Sequence, residues 1–184
     1  MTEPITQLGQ QVTISVERMM RYCYLAQMTL EYAPYEPTAL KTHVTRFGTM
    51  VFETASFLYS LFDDTNNSIN LPKVWRGFDH PFDKELEEIV KRLEPFKNEL
   101  RLVRNRIGFH GSLNRGHEAA GLGIFDVESQ RGRDFVGLTR DTQILATKMI
   151  KWYIDRMDKS ARPDEIWNEF WVELRNHPLT SRGQ

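Results

Sequence analysis

At 184 residues, 40% apolar and 27% charged, with a formal net charge of −1, the chain has the composition of one domain with its own hydrophobic core. That balance excludes a disordered chain and a surface coated with positive charge for indiscriminate nucleic-acid binding, while leaving room for a local basic patch. Cys23 is the only cysteine, which excludes an intrachain disulfide and a thiolate zinc cage.

Met1 to Gln11 is polar, with Glu3 and Pro4, and does not read as a signal peptide. No apolar run approaches the ~20 residues that span a bilayer. The sequence therefore reads as soluble and cytoplasmic, with no membrane partner. The first strongly periodic segment runs from about Gln11 to Tyr32. Val12, Val16, Met19, Cys23, Ala26 and Leu30 recur at spacings of three and four, as one face of a helix requires. The second runs from about Thr38 to Phe62, through Leu40, Val44, Phe47, Val51, Thr54, Leu58 and Leu61. Pro34 and Pro37 mark a short connection between the two, which makes them an expected antiparallel pair. A polar loop follows, roughly Asp63 to Pro81, rich in turn formers (Asp63, Asp64, Asn66, Asn67, Ser68, Asn70, Pro72). Trp75 and Phe78 are expected to fold it back onto the body.

A third helix is expected from about Phe82 to Phe109, with Leu86, Ile89, Leu93, Phe96, Leu100, Val103 and Ile107 as its apolar seam. Pro95 interrupts it and predicts a kink, because proline removes a backbone hydrogen bond and crowds the preceding turn. Seven of the eleven glycines then fall between Gly108 and Gly137. This stretch reads as a glycine-rich loop, or as a short hairpin of Leu122–Val127 with Phe135–Leu138. Helical spacing resumes with Leu138, Leu145, Met149, Trp152 and Ile154. A last helix after Pro163 carries Ile166, Trp167, Phe170, Trp171 and Leu174 on one side. The fold class is all-α: a bundle of four to five helices with a glycine-rich insertion between the third and fourth. No linker or repeat divides it, so residues 1–184 form one domain with a core of about 8–175.

The chemistry concentrates in Arg101-Leu-Val-Arg-Asn-Arg-Ile-Gly-Phe-His110. Between Arg101 and Arg115 there are four arginines and no acidic residue, a local positive patch in a chain of net charge −1. Guanidinium groups suit phosphate because their planar donors can bind two oxygens at once. His110 extends the seam of the third helix, three residues after Ile107. Arg104 lies one step round from Val103, at the seam's edge. On an unbroken helix Arg104 and His110 stand about 9 Å apart along the axis and on different faces. Gly108 offers a place for the helix to loosen. The plainer reading is a hydrogen-bonded packing histidine, with Arg106 and His110 as an ordinary pair four apart on a helix surface.

An arginine, a polar residue, a short spacer and a histidine late in a helix of an all-α domain resemble the motif of the HEPN family. That motif is arginine, four to six residues beginning with a polar one, then histidine. Arg104, Asn105 and His110 match it with a spacer of five. The resemblance covers seven residues. It implies a homodimer with two motifs converging on one cleft, and metal-independent endoribonuclease chemistry with no cofactor. His110 would serve as general base or acid, Arg104 would stabilise charge on the phosphate, and Asn105 would orient the histidine or the phosphate. Arg101, Arg106, Arg115 and His117 would bind RNA. The family further suggests a toxin or defence effector, with an antitoxin or nucleotidyltransferase partner. Many HEPN domains are catalytically silent interaction or nucleotide-binding modules, and a helical scaffold outside the family is a third reading.

Other residues weigh less. His117, in Arg115-Gly116-His117-Glu118, and Glu53, beside the Val51–Thr54 seam, read more simply as solvated. Asp79 and His80 adjoin, but no further histidine stands at ligand spacing. Gly121-Leu-Gly123 is too short for a dinucleotide loop.

Overall fold

The computed structural model describes residues 3–32, 51–65, 68–77, 79–104, 123–126 and 128–156. Helix α1 is Glu3–Tyr32, α2 occupies 51–62, α3 is Leu71–Trp75, α4 Asp83–Leu93, α5 Lys97–Leu102 and α6 Gln130–Arg156. Single 3-10 turns sit at Glu94–Phe96 and Gly123–Phe125. No strand occurs among the described residues, and the all-α reading holds for them.

The helices form where apolar residues recur on one face. In α1, Val12, Val16, Met19, Cys23 and Ala26 are buried. That face packs antiparallel on α6, with low numbers in α1 meeting high numbers in α6. Thr13 Oγ1 lies 3.3 Å from Tyr153 Oη, the Tyr22 hydroxyl donates to the Thr139 carbonyl (3.0 Å), and Gln143 Nε2 donates to Gln27 Oε1 (2.7 Å). Helix α2 pairs antiparallel with α1 as expected. Thr54 Oγ1 meets Thr29 Oγ1 at 2.8 Å, while the end of α2 approaches Arg18. Helices α4 and α5 run antiparallel to α6 in turn. Glu85 pairs with Lys148 (2.8 Å), Arg92 with Asp141 (2.6 Å), Phe96 with Phe135 (ring centroids 5.8 Å) and Glu99 with Arg131.

The seam expected for the third helix is buried at each described position: Leu86, Ile89, Leu93, Phe96, Leu100 and Val103. Pro95 does what its missing N–H requires. The α-helix gives way to the 3-10 turn Glu94–Phe96 and resumes as α5.

Two stretches differ from expectation. The polar loop contains α3, which Asn70 caps by accepting the Lys73 N–H (2.8 Å), with Pro72 in the first turn. This turn delivers Trp75 into the core, 1% exposed, where its indole N–H donates to Ser15 Oγ (3.0 Å). Trp75 thus folds back as expected; Phe78 lies outside the described residues. The hairpin alternative is corrected, since Phe135–Leu138 is helical. Helix α6 begins eight residues before Leu138, because Ser129 supplies a cap by accepting the Gly132 N–H (2.9 Å). Phe135 and Leu138 then fall on the buried face of α6. In the other expected strand, Gly123–Phe125 is a 3-10 turn, while residues 33–50, 105–122 and 127 and the expected last helix lie outside the described residues.

Candidate functional site

The site is assembled where α2 ends and α5 ends. Asp63 directly follows the last residue of α2. Its Oδ1 accepts the Thr65 N–H (3.1 Å), the short-range bond that makes aspartate a turn former. Its carbonyl accepts the Asn70 side-chain amide (2.7 Å) and the Ser68 hydroxyl. The carboxylate itself is almost fully buried, at 3% exposure. A buried charge is costly without a partner, and the partner arrives from the turn just past α5: Arg104 Nη1 donates to Asp63 Oδ2.

Arg104 occupies a distinctive place. Immediately after α5 the helix loosens into a wider π-type turn at Val103 and Arg104. Val103 stays in the core, 0% exposed, and Arg104 takes the next step round, at the core's edge. Its guanidinium carbon lies 5.5 Å from the centre of the Tyr59 ring, one helical turn before Asp63 on α2. About a third of the arginine side chain, 35%, remains exposed.

Two further arginines enter the same field. Arg18 of α1 donates to the Ile69 carbonyl (2.8 Å). Burial lowers its pKa first, the Arg104 charge next, and Asp63 pulls the other way. The Tyr59 phenol is raised by burial and then by Asp63, opposed by Arg104 and by exposed Arg101. The charges of Arg18 and Arg104 therefore both bear on the buried Asp63 carboxylate, while Arg101 of α5 acts on the neighbouring Tyr59 phenol. Beside them, Lys97 at the start of α5 bonds Asp64 (2.8 Å), which lowers the Asp64 pKa. The segment after α2 is thus held to both ends of the α5 region, through Asp64–Lys97 and Asp63–Arg104.

Among the residues singled out by sequence, Arg101 and Arg104 fall at this site. Asn105, Arg106, His110, Arg115 and His117 lie outside the described residues. Asp63, Tyr59 and Arg18 are the members that sequence reasoning missed. The four-residue spacing of Tyr59 and Asp63 was a usable signal for a shared face; nothing local to Arg18 pointed here. Glu53 is exposed on α2, in line with a solvated side chain.

His80, the one described histidine, has a packing environment. Its ring lies among Trp75, Phe82 and Trp152, with centroids 5.5, 5.9 and 6.4 Å away. Its Nδ1 accepts the Phe82 N–H (3.1 Å), which assigns the proton of the neutral ring to Nε2, 3.6 Å from Asp83 Oδ1. Among the described residues no group of three or more His, Cys, Asp or Glu could hold a metal ion, and no helix is long and apolar enough to cross a membrane.

No protein-family model matches the chain, and neither curated proteins nor solved structures include one significantly similar to it.

Proposed function

We propose that the chain is a HEPN-type endoribonuclease, a cytoplasmic homodimer that cleaves RNA without a metal ion and acts as a toxin or defence effector. An antitoxin or nucleotidyltransferase partner would restrain it. One observation carries the reading. The motif arginine, Arg104, stands at the edge of the core, partly exposed, beside two further arginines. That is the electrostatic setting a phosphodiester needs.

The reaction is attack of a ribose 2′-hydroxyl on the adjacent phosphorus. His110 takes the hydroxyl proton, and Arg104 stabilises the charge that grows on the non-bridging oxygens. The 5′-oxygen leaves with a proton from a second imidazole, which the dimer supplies. The products are a 2′,3′-cyclic phosphate and a 5′-hydroxyl. Among the described residues Arg104 spends one of its five N–H donors, on Asp63, which leaves others to meet phosphate.

A second reading rests on the same ion pair. A buried carboxylate needs a counter-ion whatever happens at the surface, so Arg104 also suits a catalytically silent module. Cleavage of total cellular RNA in EDTA by wild type and His110→Ala decides between them, with both confirmed as folded dimers. Cleavage by wild type alone, leaving cyclic phosphate ends, supports the nuclease. Intact RNA with both proteins supports the silent module.

A further inference from the structure

The Asp63 carboxylate is served twice. Oδ1 takes the Thr65 N–H, Oδ2 takes Arg104, and the backbone behind it is pinned by Asn70 and Ser68. It is a fixed post at the end of α2. Arg104 leans on it with one nitrogen while the Tyr59 ring faces the guanidinium. Were the pair only a solution to a buried charge, one arginine would be enough. Instead Arg18 bears on both Arg104 and Asp63, and Arg101 stands three residues before Arg104 and acts on the same Tyr59 phenol. The second carboxylate nearby, Asp64, is already paired with Lys97 (2.8 Å), so the guanidinium charge exceeds what Asp63 alone offsets. Surplus guanidinium charge around a rigid anchor is the arrangement that an incoming oxyanion completes.

We propose that Asp63 is a positioning residue: its buried carboxylate and the Tyr59 ring hold the Arg104 guanidinium so that its unspent N–H groups meet a non-bridging oxygen of an RNA phosphodiester, with Arg18 reinforcing the field. This rests on the nuclease reading for its catalytic part. Its binding part stands separately. A donor fixed before the ligand arrives loses less freedom on binding and stays aligned as charge develops. Asp63 touches no substrate and acts only through Arg104.

Removing Asp63 has two opposed consequences. Loss of a negative charge strengthens RNA binding by electrostatics alone. Loss of the anchor misplaces Arg104 and slows the chemical step. Asp63→Asn should therefore keep KM level or lower while kcat falls about tenfold or more. Asp63→Glu, which keeps the charge on a longer arm, should recover part of kcat. Both are assayed well below their unfolding midpoints in urea, so that kcat refers to folded protein.

The companion measurement needs no turnover. The Arg104 side-chain N–H signals are followed by NMR while a 2′-deoxy dinucleotide, which cannot be cleaved, is titrated in. In wild type these signals should be sharp and should shift on titration. In Asp63→Asn they should broaden and respond weakly. If wild type proves unable to cleave RNA but Arg104 responds in this way, the nuclease reading fails and the positioned phosphate site stands. Unresponsive wild-type Arg104 signals overturn the proposal, as does an Asp63→Asn variant with wild-type kcat and an unchanged Arg104 response.

Discussion

Asn70→Ala tests the segment that carries the anchor. Asn70 is 7% exposed and uses both ends of its amide. Its oxygen accepts the Lys73 N–H and so caps α3, while its nitrogen donates to the Asp63 carbonyl. Losing an N-cap costs about 1 kcal/mol. Losing a buried hydrogen bond costs about another 1 kcal/mol. The Asp63 carbonyl keeps the Ser68 hydroxyl, so no orphaned acceptor adds to the total. The expected destabilisation is about 2 kcal/mol, or roughly 4–8 °C in Tm for a chain of this size.

Asn70→Ser separates the two contributions. Serine is a good cap but cannot also reach the Asp63 carbonyl, so it should lose about half as much. Urea denaturation followed by tryptophan fluorescence provides the assay, since buried Trp75 ends the same helix. Equal losses for serine and alanine would refute the capping contribution. A loss below about 0.5 kcal/mol for alanine would refute the whole accounting. The released segment should also let the Arg104 side-chain protons exchange faster.

Leu100→Ala, at a 0% exposed seam position of α5, should cost about 3–4 kcal/mol in the same urea assay, because the packed core cannot fully close the cavity. Cys23 is sealed between α1 and α6, and burial pushes its thiol from the ordinary 9.0 up to about 12. The folded state therefore holds the proton that the unfolded state releases above pH 9, so stability falls as pH rises from 9 towards 12. The loss is about 1.4 kcal/mol at pH 10, and a Cys23→Ala variant, which keeps Tyr22, should lack this component. At pH 8 a thiol reagent should modify the protein only after unfolding. Arg131→Lys should cost about 1 kcal/mol at low salt. Arg131 Nε meets both Glu99 oxygens (3.0 and 3.1 Å), Nη2 donates to the Pro95 carbonyl (2.8 Å), and the guanidinium faces the Phe96 ring at 4.8 Å, a geometry that lysine cannot copy. A loss unaffected by salt would assign its role to packing alone.

The long seams were legible because a helix that buries one face must repeat its apolar residues every three or four positions. Each described seam position from Leu86 to Val103 is in the core. The short and capped pieces were not. Helix α3 has five residues, too few for any repeat, and its signal was the order Asn70, Leu71, Pro72: a cap followed by proline in the first turn. Those same residues are equally good turn formers. Glycines hid the start of α6. Gly132 and Gly137 look like breaks beside the strand-like pair Phe135-Val136, yet Phe135, Leu138, Thr142, Leu145 and Met149 keep the helical interval and are all buried. Gly137 lies within α6, and a Cβ there would meet Arg92 at an ordinary 3.7 Å, so this position does not demand glycine.

The site divides along the same line. Arg104 was legible because it adjoins Val103 on the seam, and a charge at the rim of a core must find a partner. That requirement names no partner. Asp63 lies 41 residues earlier, and helical periodicity assigns faces without saying which faces meet. Asp63 was further disguised by its own local chemistry. It does form the turn that its residue type promises, through Oδ1 and Thr65, and only its second oxygen looks across the bundle. An aspartate has two acceptor oxygens, and a turn can occupy one. Where an arginine stands at a core boundary, its anchor is best sought among acidic residues just past a helix end, because there one oxygen serves the turn while the other is still free.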